Sequence, residues 1–149
     1  MDVDGTLTDG KIYMGQSGEI MKAFNIKDGL GIRAILLPRG VKPIIITGRY
    51  SDIVLCRCKE LGITDVYQDI SDKIALLKSI ISDFSSVAYI GDDINDLECM
   101  SLITNSGGIV ACPSDSPQEV KNNSTYVCSN KGGEGCVREF IEWCFKDAR

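Results

Sequence analysis

The stretch MDVDGTLTDG, residues 1–10, places three carboxylates, those of Asp2, Asp4 and Asp9, within eight residues. Like charges this close repel one another, so the folded chain needs a cation or a bound proton to compensate them. Side chains two residues apart on a strand point the same way, which lets Asp2 and Asp4 face one ligand. Asp9 suits a different task, because Asp side chains in loops commonly accept hydrogen bonds from nearby backbone. The stretch predicts an acidic site at the end of a first strand.

That first strand is short. A buried parallel strand usually takes about 4–6 residues, and only Met1–Asp4 precede Gly5. We expect the strand to be truncated, with several apolar residues that would normally precede Met1 missing from it. Such a truncation would weaken the central strand of the sheet.

Apolar runs typical of buried strands alternate with helical patterns along most of the chain. The predicted strands cover 41–48, 63–68, 86–91, 108–112 and 124–128, and the predicted helices cover 28–40, 51–62, 71–84, 93–103, 116–123 and 133–145. Ser51 and Ser71 are the expected N-caps of two of these helices. The alternation predicts an α/β fold, a Rossmann-like three-layer sandwich with a central parallel sheet. The length of 149 residues predicts a single domain, 1–149.

One segment near the N-terminus departs from this alternation. Ile12-Tyr13-Met14 and Ile20-Met21-Lys22 flank the turn sequence GQSG, which predicts a small β-hairpin over about 10–24. Its apolar side chains would either lie at a subunit interface or over a substrate, or they would pack on a core of their own. The pattern leaves both alternatives open.

Composition narrows the classes of function. The net charge is −5 and no run of Lys or Arg occurs, so neither nucleic acid nor a membrane surface is an expected partner. No apolar run approaches the roughly 18–20 residues that span a bilayer. Because the chain has no histidine, zinc sites and His-activated nucleophiles are not expected. Its seven scattered cysteines fit free, buried thiols in the cytoplasm.

Polar residues follow three of the predicted strands. They are Asp2 and Asp4, then Thr47-Gly48-Arg49, then Asp92-Asp93. In parallel α/β sheets, ligands bind at the carboxyl ends of the strands. We therefore expect the three groups to converge on one site. Each motif alone is a weak signal, and their joint occurrence is what favours a common site.

Together these motifs resemble those of the haloacid dehalogenase superfamily of phosphotransferases. The resemblance covers nearly the whole chain, with Asp-x-Asp-Gly-Thr, Thr-Gly-Arg, a Lys at a helix start and Gly-Asp-Asp-x-x-Asp in order. The segments DVDGTLTDG, FNIKDGLGI, ITGR, DK, YIGDDIND and GGEGCVREF are similar to those of a narrower branch without a cap domain. That branch includes phosphatases of 3-deoxy-D-manno-octulosonate 8-phosphate and of nine-carbon, sialic-acid-type phosphates.

The resemblance implies a role for each matching residue. Asp2 would be the nucleophile that forms an aspartyl-phosphate. Asp4 would protonate the leaving alkoxide and then accept a proton from the attacking water. Thr47, the Gly48 amide and Lys73 would bind the phosphate, with Lys73 stabilising the charge that develops on it.

The resemblance also implies a Mg²⁺ cofactor. Asp2, Asp92 and the Asp4 backbone carbonyl would supply oxygen ligands, which suit this hard cation. The metal would cancel the repulsion between the nucleophile and the phosphate. The residues implied around this site are Thr6, Asp93, Asn95 and Asp96.

A 2-keto-3-deoxy sugar acid phosphate is the implied substrate, most simply the eight-carbon octulosonate. Arg49 suits its carboxylate, because the guanidinium binds carboxylates in a bidentate fashion. Arg138 would help to bind the anion or brace the C-terminal segment. Glu134 departs from the arginine common in octulosonate phosphatases, so an acylneuraminate 9-phosphate stays an alternative. The resemblance further implies a homotetramer in which a neighbour's hairpin completes the site.

Three other interpretations compete with that of a Mg²⁺-dependent phosphatase. A calcium loop starting at Asp2 would need Gly and Glu where the chain has Leu7 and Tyr13, so it fails. A receiver-like signalling domain also gathers acidic residues, Thr and Lys around Mg²⁺, but its phosphoacceptor lies mid-chain. A non-catalytic oligomerisation module is disfavoured by the intact set of motifs, although it stays open.

Overall fold

The computed structural model describes residues 1–146. Its first two strands form an exposed hairpin. Strands β1 (Tyr13–Gly15) and β2 (Gly18–Met21) pair antiparallel, with Gly15 opposite Gly18. The predicted hairpin and its turn are therefore confirmed. Met14 and Ile20 are both 62% exposed, so the hairpin does not pack on a core of its own, and that alternative is wrong.

Asp9 fixes the base of this hairpin. Its Oδ1 accepts a hydrogen bond from the Lys11 backbone N–H at 3.1 Å, and its Oδ2 accepts one from the Tyr13 hydroxyl at 3.1 Å. The expectation that Asp9 is a loop-fixing residue is confirmed. Both contacts are local, which is why the sequence alone could predict them.

Five parallel strands lie in two groups. Strand β3 (Ile44–Ile46) pairs with β4 (Asp65–Tyr67), while β5 (Ala88–Ile90) and β7 (Tyr126–Val127) flank β6 (Ile109–Cys112). The strands are shorter than predicted. In particular β3 begins only after Pro43, which has no N–H to donate to a neighbouring strand.

Met1 and Asp2 bridge the two groups. The Met1 carbonyl accepts a hydrogen bond from the Ile46 N–H at 3.0 Å, and the Asp2 N–H donates one to the Ile90 carbonyl at 3.0 Å. The order across the sheet is thus β4, β3, the N-terminal residues, β5, β6, β7. A cavity of about 630 Å³ lies beside Met1, Ile44 and Ala88, at the edge of the sheet where these strands begin. That the first strand is truncated stays a prediction.

Within residues 1–146, six α-helices cover the sheet. They are α1 (Ile26–Gly31), α2 (Asp52–Leu61), α3 (Lys73–Ile80), α4 (Leu97–Asn105), α5 (Gln118–Asn122) and α6 (Cys136–Cys144). The chain continues from α1 through a π-helical turn (Ile32–Leu36) and a 3-10 turn (Leu37–Arg39), which accounts for the single helix predicted over 28–40. The predicted helix 71–84 is too long, because Ile81 is extended and a separate 3-10 turn, Phe84–Ser86, follows.

Of the two predicted serine caps, Ser51 is confirmed as the N-cap residue of α2 and Ser71 is wrong. Asp72 caps α3, accepting a hydrogen bond from the Ala75 N–H at 2.9 Å, so Ser71 does not. Ser51 stands at the N-cap position of α2 but makes no cap hydrogen bond with its side chain. Its hydroxyl donates instead to Glu19 Oε2 at 2.7 Å. A partner from the hairpin has thus displaced the local interaction.

The core lies on both faces of the sheet. One face buries Val3, Ile32, Ile45, Ile90, Val137 and Phe140. The other face buries Ile46, Leu77, Tyr89, Met100, Ile103 and Val110. Neighbours such as Ile45 and Ile46 lie on opposite faces, as strand geometry requires. The expected three-layer α/β sandwich is confirmed. None of the helices among residues 1–146 is both long and apolar enough to cross a membrane.

Candidate active site

Asp2 lies in a buried ion-pair network at the carboxyl edge of the sheet. Lys73, at the start of α3, donates hydrogen bonds from Nζ to Asp2 Oδ1 and Asp96 Oδ1, both at 2.8 Å. All three side chains are buried. Burial opposes the charged form of Lys73, but the two carboxylates outweigh it and raise the pKa of Lys73 above its ordinary value. Lys73 is therefore a fixed cation beside Asp2.

Asp96 has both oxygens engaged. The Tyr89 hydroxyl donates to Asp96 Oδ1 at 2.5 Å, and the Asp92 backbone N–H donates to Oδ2 at 3.1 Å. Asp96 thus orients Lys73, which is one of two tasks that its position in the Gly-Asp-Asp-x-x-Asp motif predicts, the other being to orient a metal-bound water. Tyr89 was missed, because a tyrosine within an apolar strand has the pattern of a core residue.

Asp92 completes an acidic cluster. Carboxylate oxygens of Asp2, Asp92 and Asp96 all lie within 4.8 Å of one another. Burial, reinforced by the charges of Asp2 and Asp96, raises the pKa of Asp92 to about 8. Burial also raises the pKa of Asp2, although the Lys73 cation opposes the rise. The predicted residue Thr6 donates its hydroxyl to Asp92 Oδ1 at 3.0 Å.

The donor set of this cluster fits a hard divalent cation. Since Asp96 is engaged by Lys73 and Tyr89, the carboxylates available to a metal are those of Asp2 and Asp92. Mg²⁺ prefers oxygen ligands and usually takes only a few of them from the protein. A cation here would also relieve the repulsion that keeps the pKa of Asp92 high. The third ligand, the Asp4 backbone carbonyl, stays a prediction.

Glycines let the loops of the site come this close. Gly5 has a φ of +92°, and a Cβ there would lie 2.0 Å from Asp92 Oδ2. A Cβ on Gly91 would lie 2.4 Å from Asp96 Cγ. Real Cβ atoms do not approach other atoms so closely, so a side chain at either position would displace an acidic residue of the site.

Thr47, Gly48 and Arg49 follow β3, as predicted. Thr47 is buried. Its backbone is fixed on both sides, because its N–H donates a hydrogen bond to the Tyr67 carbonyl at 3.0 Å and its carbonyl accepts one from the Ile70 N–H at 3.1 Å. Gly48 is exposed. The phosphate-binding roles of these residues stay predictions.

A second charged cluster surrounds Asp4. Lys22, at the end of the hairpin, contacts Asp4 Oδ1 and lies 3.0 Å from Glu19 Oε1. Arg49 lies 3.4 Å from Glu19 Oε1 and 4.0 Å from Asp4 Oδ2. Burial alone would raise the pKa of Glu19, but hydrogen bonds from Ser51 and Lys22 outweigh it and lower that pKa. We call these residues, Asp4, Glu19, Lys22 and Arg49, the hairpin charge cluster.

Sequence reasoning missed Glu19 and Lys22. The signal available was weak: two charged residues in a short hairpin, which would ordinarily face solvent. The folded hairpin places Lys22 against Asp4 and Glu19 against Ser51. Both contacts join residues that are far apart in the chain.

The structure does not bring every predicted residue to the site. The exposed Asp93 caps the 3-10 turn Ile94–Asp96, accepting a hydrogen bond from the Ile94 N–H at 2.7 Å. Asn95 is exposed on that turn. The Arg138 side chain pairs with Glu142 at 2.7 Å along α6, and within residues 1–146 it makes no ion pair with the acidic cluster. Their predicted roles are untested.

Comparison with known proteins gives these features a context. None of the protein-family models matches the chain. The 3-deoxy-D-manno-octulosonate 8-phosphate phosphatase of Escherichia coli is 40% identical over 146 residues, which cover 95% of this chain and 75% of the relative.

Solved structures match over almost the whole chain. The octulosonate phosphatase of Moraxella catarrhalis, in complex with magnesium, phosphate and KDO, matches with a TM-score of 0.87 at 39% identity, covering 98% of this chain and 83% of that one. The cobalt-bound enzyme of Haemophilus influenzae matches with a TM-score of 0.87 at 34% identity, covering 97% and 84%. A HAD-superfamily hydrolase of subfamily III A from Legionella pneumophila matches with a TM-score of 0.86 at 31% identity, covering 97% and 79%.

The open α/β fold and the acidic site at its carboxyl edge are those of a phosphatase of the haloacid dehalogenase superfamily. Within that superfamily, the chain belongs to the family of the 3-deoxy-D-manno-octulosonate 8-phosphate phosphatases.

Proposed function

We propose that this protein hydrolyses the phosphate monoester of a 2-keto-3-deoxy sugar acid, with 3-deoxy-D-manno-octulosonate 8-phosphate as its substrate. The observation that carries the proposal is the buried contact of Asp2 with Lys73, 2.8 Å long, beside Asp92. The 40% identity to an octulosonate phosphatase supports the substrate. Seven free thiols are consistent with a cytoplasmic location.

The reaction begins at Asp2. One of its carboxylate oxygens attacks the phosphorus, forming an Asp2 O–P bond while the P–O bond to the sugar breaks. Asp4 donates a proton to the departing alkoxide. Lys73 stabilises the negative charge on the transferring phosphoryl group, because it is a fixed cation within 2.8 Å of Asp2.

The second half of the reaction releases phosphate. Water attacks the phosphorus of the aspartyl-phosphate, and Asp4 accepts the proton that the water loses. The Asp2 O–P bond breaks, which restores the carboxylate and frees inorganic phosphate.

Mg²⁺ fits this chemistry. The Asp2 and Asp92 carboxylates and the Asp4 carbonyl would hold it. When bound, it supplies positive charge that offsets the repulsion between the Asp2 carboxylate and the phosphate.

Arg49 is proposed to bind the carboxylate of the sugar acid. Its Nη1 is buried and has no hydrogen-bond partner within residues 1–146, so it can accept an anionic ligand. An unpaired buried donor costs free energy, and a bidentate carboxylate would satisfy it.

We further propose a homotetramer in which the hairpin contacts a neighbouring subunit. The hairpin and the start of α1 expose an apolar group, Ile12, Met14, Ile20, Met21, Ile26 and Leu30. Exposed apolar patches of this kind are typical of interfaces. Analytical ultracentrifugation should give a mass of four chains, and Ile20→Glu should dissociate the assembly, whereas a wild-type monomer would refute the proposal.

The proposed function is tested by assaying phosphate release from the eight-carbon substrate and from an acylneuraminate 9-phosphate, with and without Mg²⁺. We expect Mg²⁺-dependent hydrolysis that favours the eight-carbon substrate and is lost in Asp2→Asn. Preference for the nine-carbon substrate would move the assignment to that alternative. Stable phospho-aspartate without phosphate release would favour a receiver-like domain, and no reaction at all would favour a non-catalytic module.

A further inference from the structure

Lys22 is a buried lysine at the end of the hairpin. Its side chain is 1% exposed, and its ammonium contacts Asp4 Oδ1 and lies 3.0 Å from Glu19 Oε1. Lysine is seldom buried unless it is paired, because removing an ammonium from water carries a large desolvation penalty. The Glu19 carboxylate compensates the charge of this ammonium, and Asp4, the proposed acid–base residue, supplies a second oxygen as acceptor.

The contact with Lys22 places the two carboxyl oxygens of Asp4 in different surroundings. Lys22 engages Oδ1, whereas the ion pair that Oδ2 makes within residues 1–146 is with Arg49, at the long distance of 4.0 Å. A carboxyl group held at one oxygen keeps its direction while the other oxygen gives or takes a proton. Oδ2 is thus the oxygen that is available for proton transfer.

Glu19 connects Lys22 to the start of α2. Its Oε2 accepts a 2.7 Å hydrogen bond from Ser51, which is anchored at the start of α2. Its Oε1 faces both Lys22 and Arg49, at 3.0 and 3.4 Å. The hairpin therefore docks on the domain through the same ion pairs that reach the site.

We propose that Lys22 is a positioning residue that holds the Asp4 carboxyl so that Oδ2 delivers the proton to the leaving oxygen, with Glu19 fixing Lys22. This inference rests on the proposed function and extends it to the hairpin. The alternative is a purely structural role, in which Lys22 only attaches the hairpin to the domain. A positioning role predicts a larger loss of activity on substrates whose leaving groups need a proton than on those whose leaving groups do not. Simple attachment of the hairpin predicts no such difference.

The test uses kcat/KM, which covers the reaction up to the first irreversible step, on two substrates with Mg²⁺ present. The alkoxide of 3-deoxy-D-manno-octulosonate 8-phosphate needs a proton to leave, whereas the nitrophenolate of p-nitrophenyl phosphate does not. For Lys22→Met we expect a loss of about 10- to 100-fold on the sugar phosphate and less than about 3-fold on the nitrophenyl ester. Lys22→Arg should recover part of the lost activity.

Two further variants calibrate the result. Asp4→Asn should show the same dependence on the leaving group with a larger loss, because it removes the acid itself. Lys11→Met is the matched control, since Lys11 is a hairpin lysine with a 71% exposed side chain that pairs with Asp9. It should leave kcat/KM on both substrates unchanged.

Equal losses on both substrates, or no loss on either, would overturn the positioning role. If Lys22→Met fails to fold, as judged by circular dichroism, Glu19→Gln carries the test with the same criterion. If the wild-type protein hydrolyses neither ester, the proposed function fails instead, so the two failures can be told apart.

Discussion

Gly132 packs directly against Gly5, and a Cβ on Gly132 would lie 1.8 Å from the Gly5 carbonyl oxygen. The same Cβ would lie 3.0 Å from the Thr8 carbonyl, so the whole loop that follows Asp2 rests on this glycine. The Gly133 N–H also donates to the Thr6 carbonyl at 3.1 Å. The GGEG segment before α6 thus supports the loop that follows Asp2.

We therefore expect Gly132→Ala to lower the free energy of unfolding by at least about 3 kcal/mol, because backbone must move to admit the methyl group. Gly40→Ala is the control. Gly40 has a φ of +72° but nothing within 4 Å of its Cβ position, so only backbone strain of about 1–2 kcal/mol is expected. Urea denaturation measures both, and equal losses in the two variants would contradict the packing argument.

We expect Asp92→Asn to remove the stabilisation by Mg²⁺ and most of the activity without lowering the melting temperature of the metal-free protein. The substitution replaces a half-buried carboxyl whose pKa is raised to about 8 by burial and by Asp2 and Asp96, and the asparagine oxygen can still accept the Thr6 hydrogen bond. Without Mg²⁺ we expect the melting temperature to equal or exceed that of the wild type. The increase that Mg²⁺ causes should vanish, and kcat should fall at least about 100-fold. Asp93→Asn, next to it but exposed, should behave like the wild type, and a metal-induced shift retained in Asp92→Asn would contradict the assignment.

Magnesium binding should release protons below pH 8. A carboxyl whose pKa is about 8 in the metal-free protein carries a proton that a metal must displace. The affinity should therefore rise as the pH rises from 6 to 8. Calorimetry at pH 7 in two buffers of different ionisation enthalpy should give different apparent binding heats, and identical heats would show that no proton is released.

The positions of the acidic motifs and of the Thr47-Gly48-Arg49 motif could be predicted because strand ends are local features. Alternating apolar runs locate the strands, and the parallel arrangement then brings Asp2, Lys73 and Asp92 to one edge of the sheet. No contact between these residues had to be known in advance.

The hairpin charge cluster could not be predicted in that way. Lys22 reaches Asp4 only through the folding of the hairpin, across a separation of 18 residues, and nothing in the local sequence of either residue indicates that contact. The same long-range contact takes the Ser51 hydroxyl away from the cap of α2 and gives it to Glu19. Likewise the Tyr89 hydroxyl finds Asp96 inside the core, where a strand pattern indicates only apolar packing.

Asp28 should make stability depend on pH in a way that is independent of the metal site. It lies in α1, buried, and its Oδ1 accepts the Arg138 backbone N–H at 2.7 Å at the start of α6. Burial raises the pKa of Asp28 to about 6, against the effect of the hydrogen bonds from Arg138 and Val137. The folded protein thus binds a proton here that the unfolded chain has lost above its ordinary pKa of about 4.

It follows that the stabilising contribution of protonated Asp28 is complete below about pH 4 and is lost as the pH rises through 6. Asp28→Asn cannot ionise and keeps the acceptor for the Arg138 N–H. With Mg²⁺ saturating, so that Asp92 does not titrate, the variant should gain stability relative to the wild type between pH 4 and pH 7, by about 1–3 kcal/mol. Thermal denaturation across this range measures the difference, and parallel curves for the two proteins would show that Asp28 titrates normally.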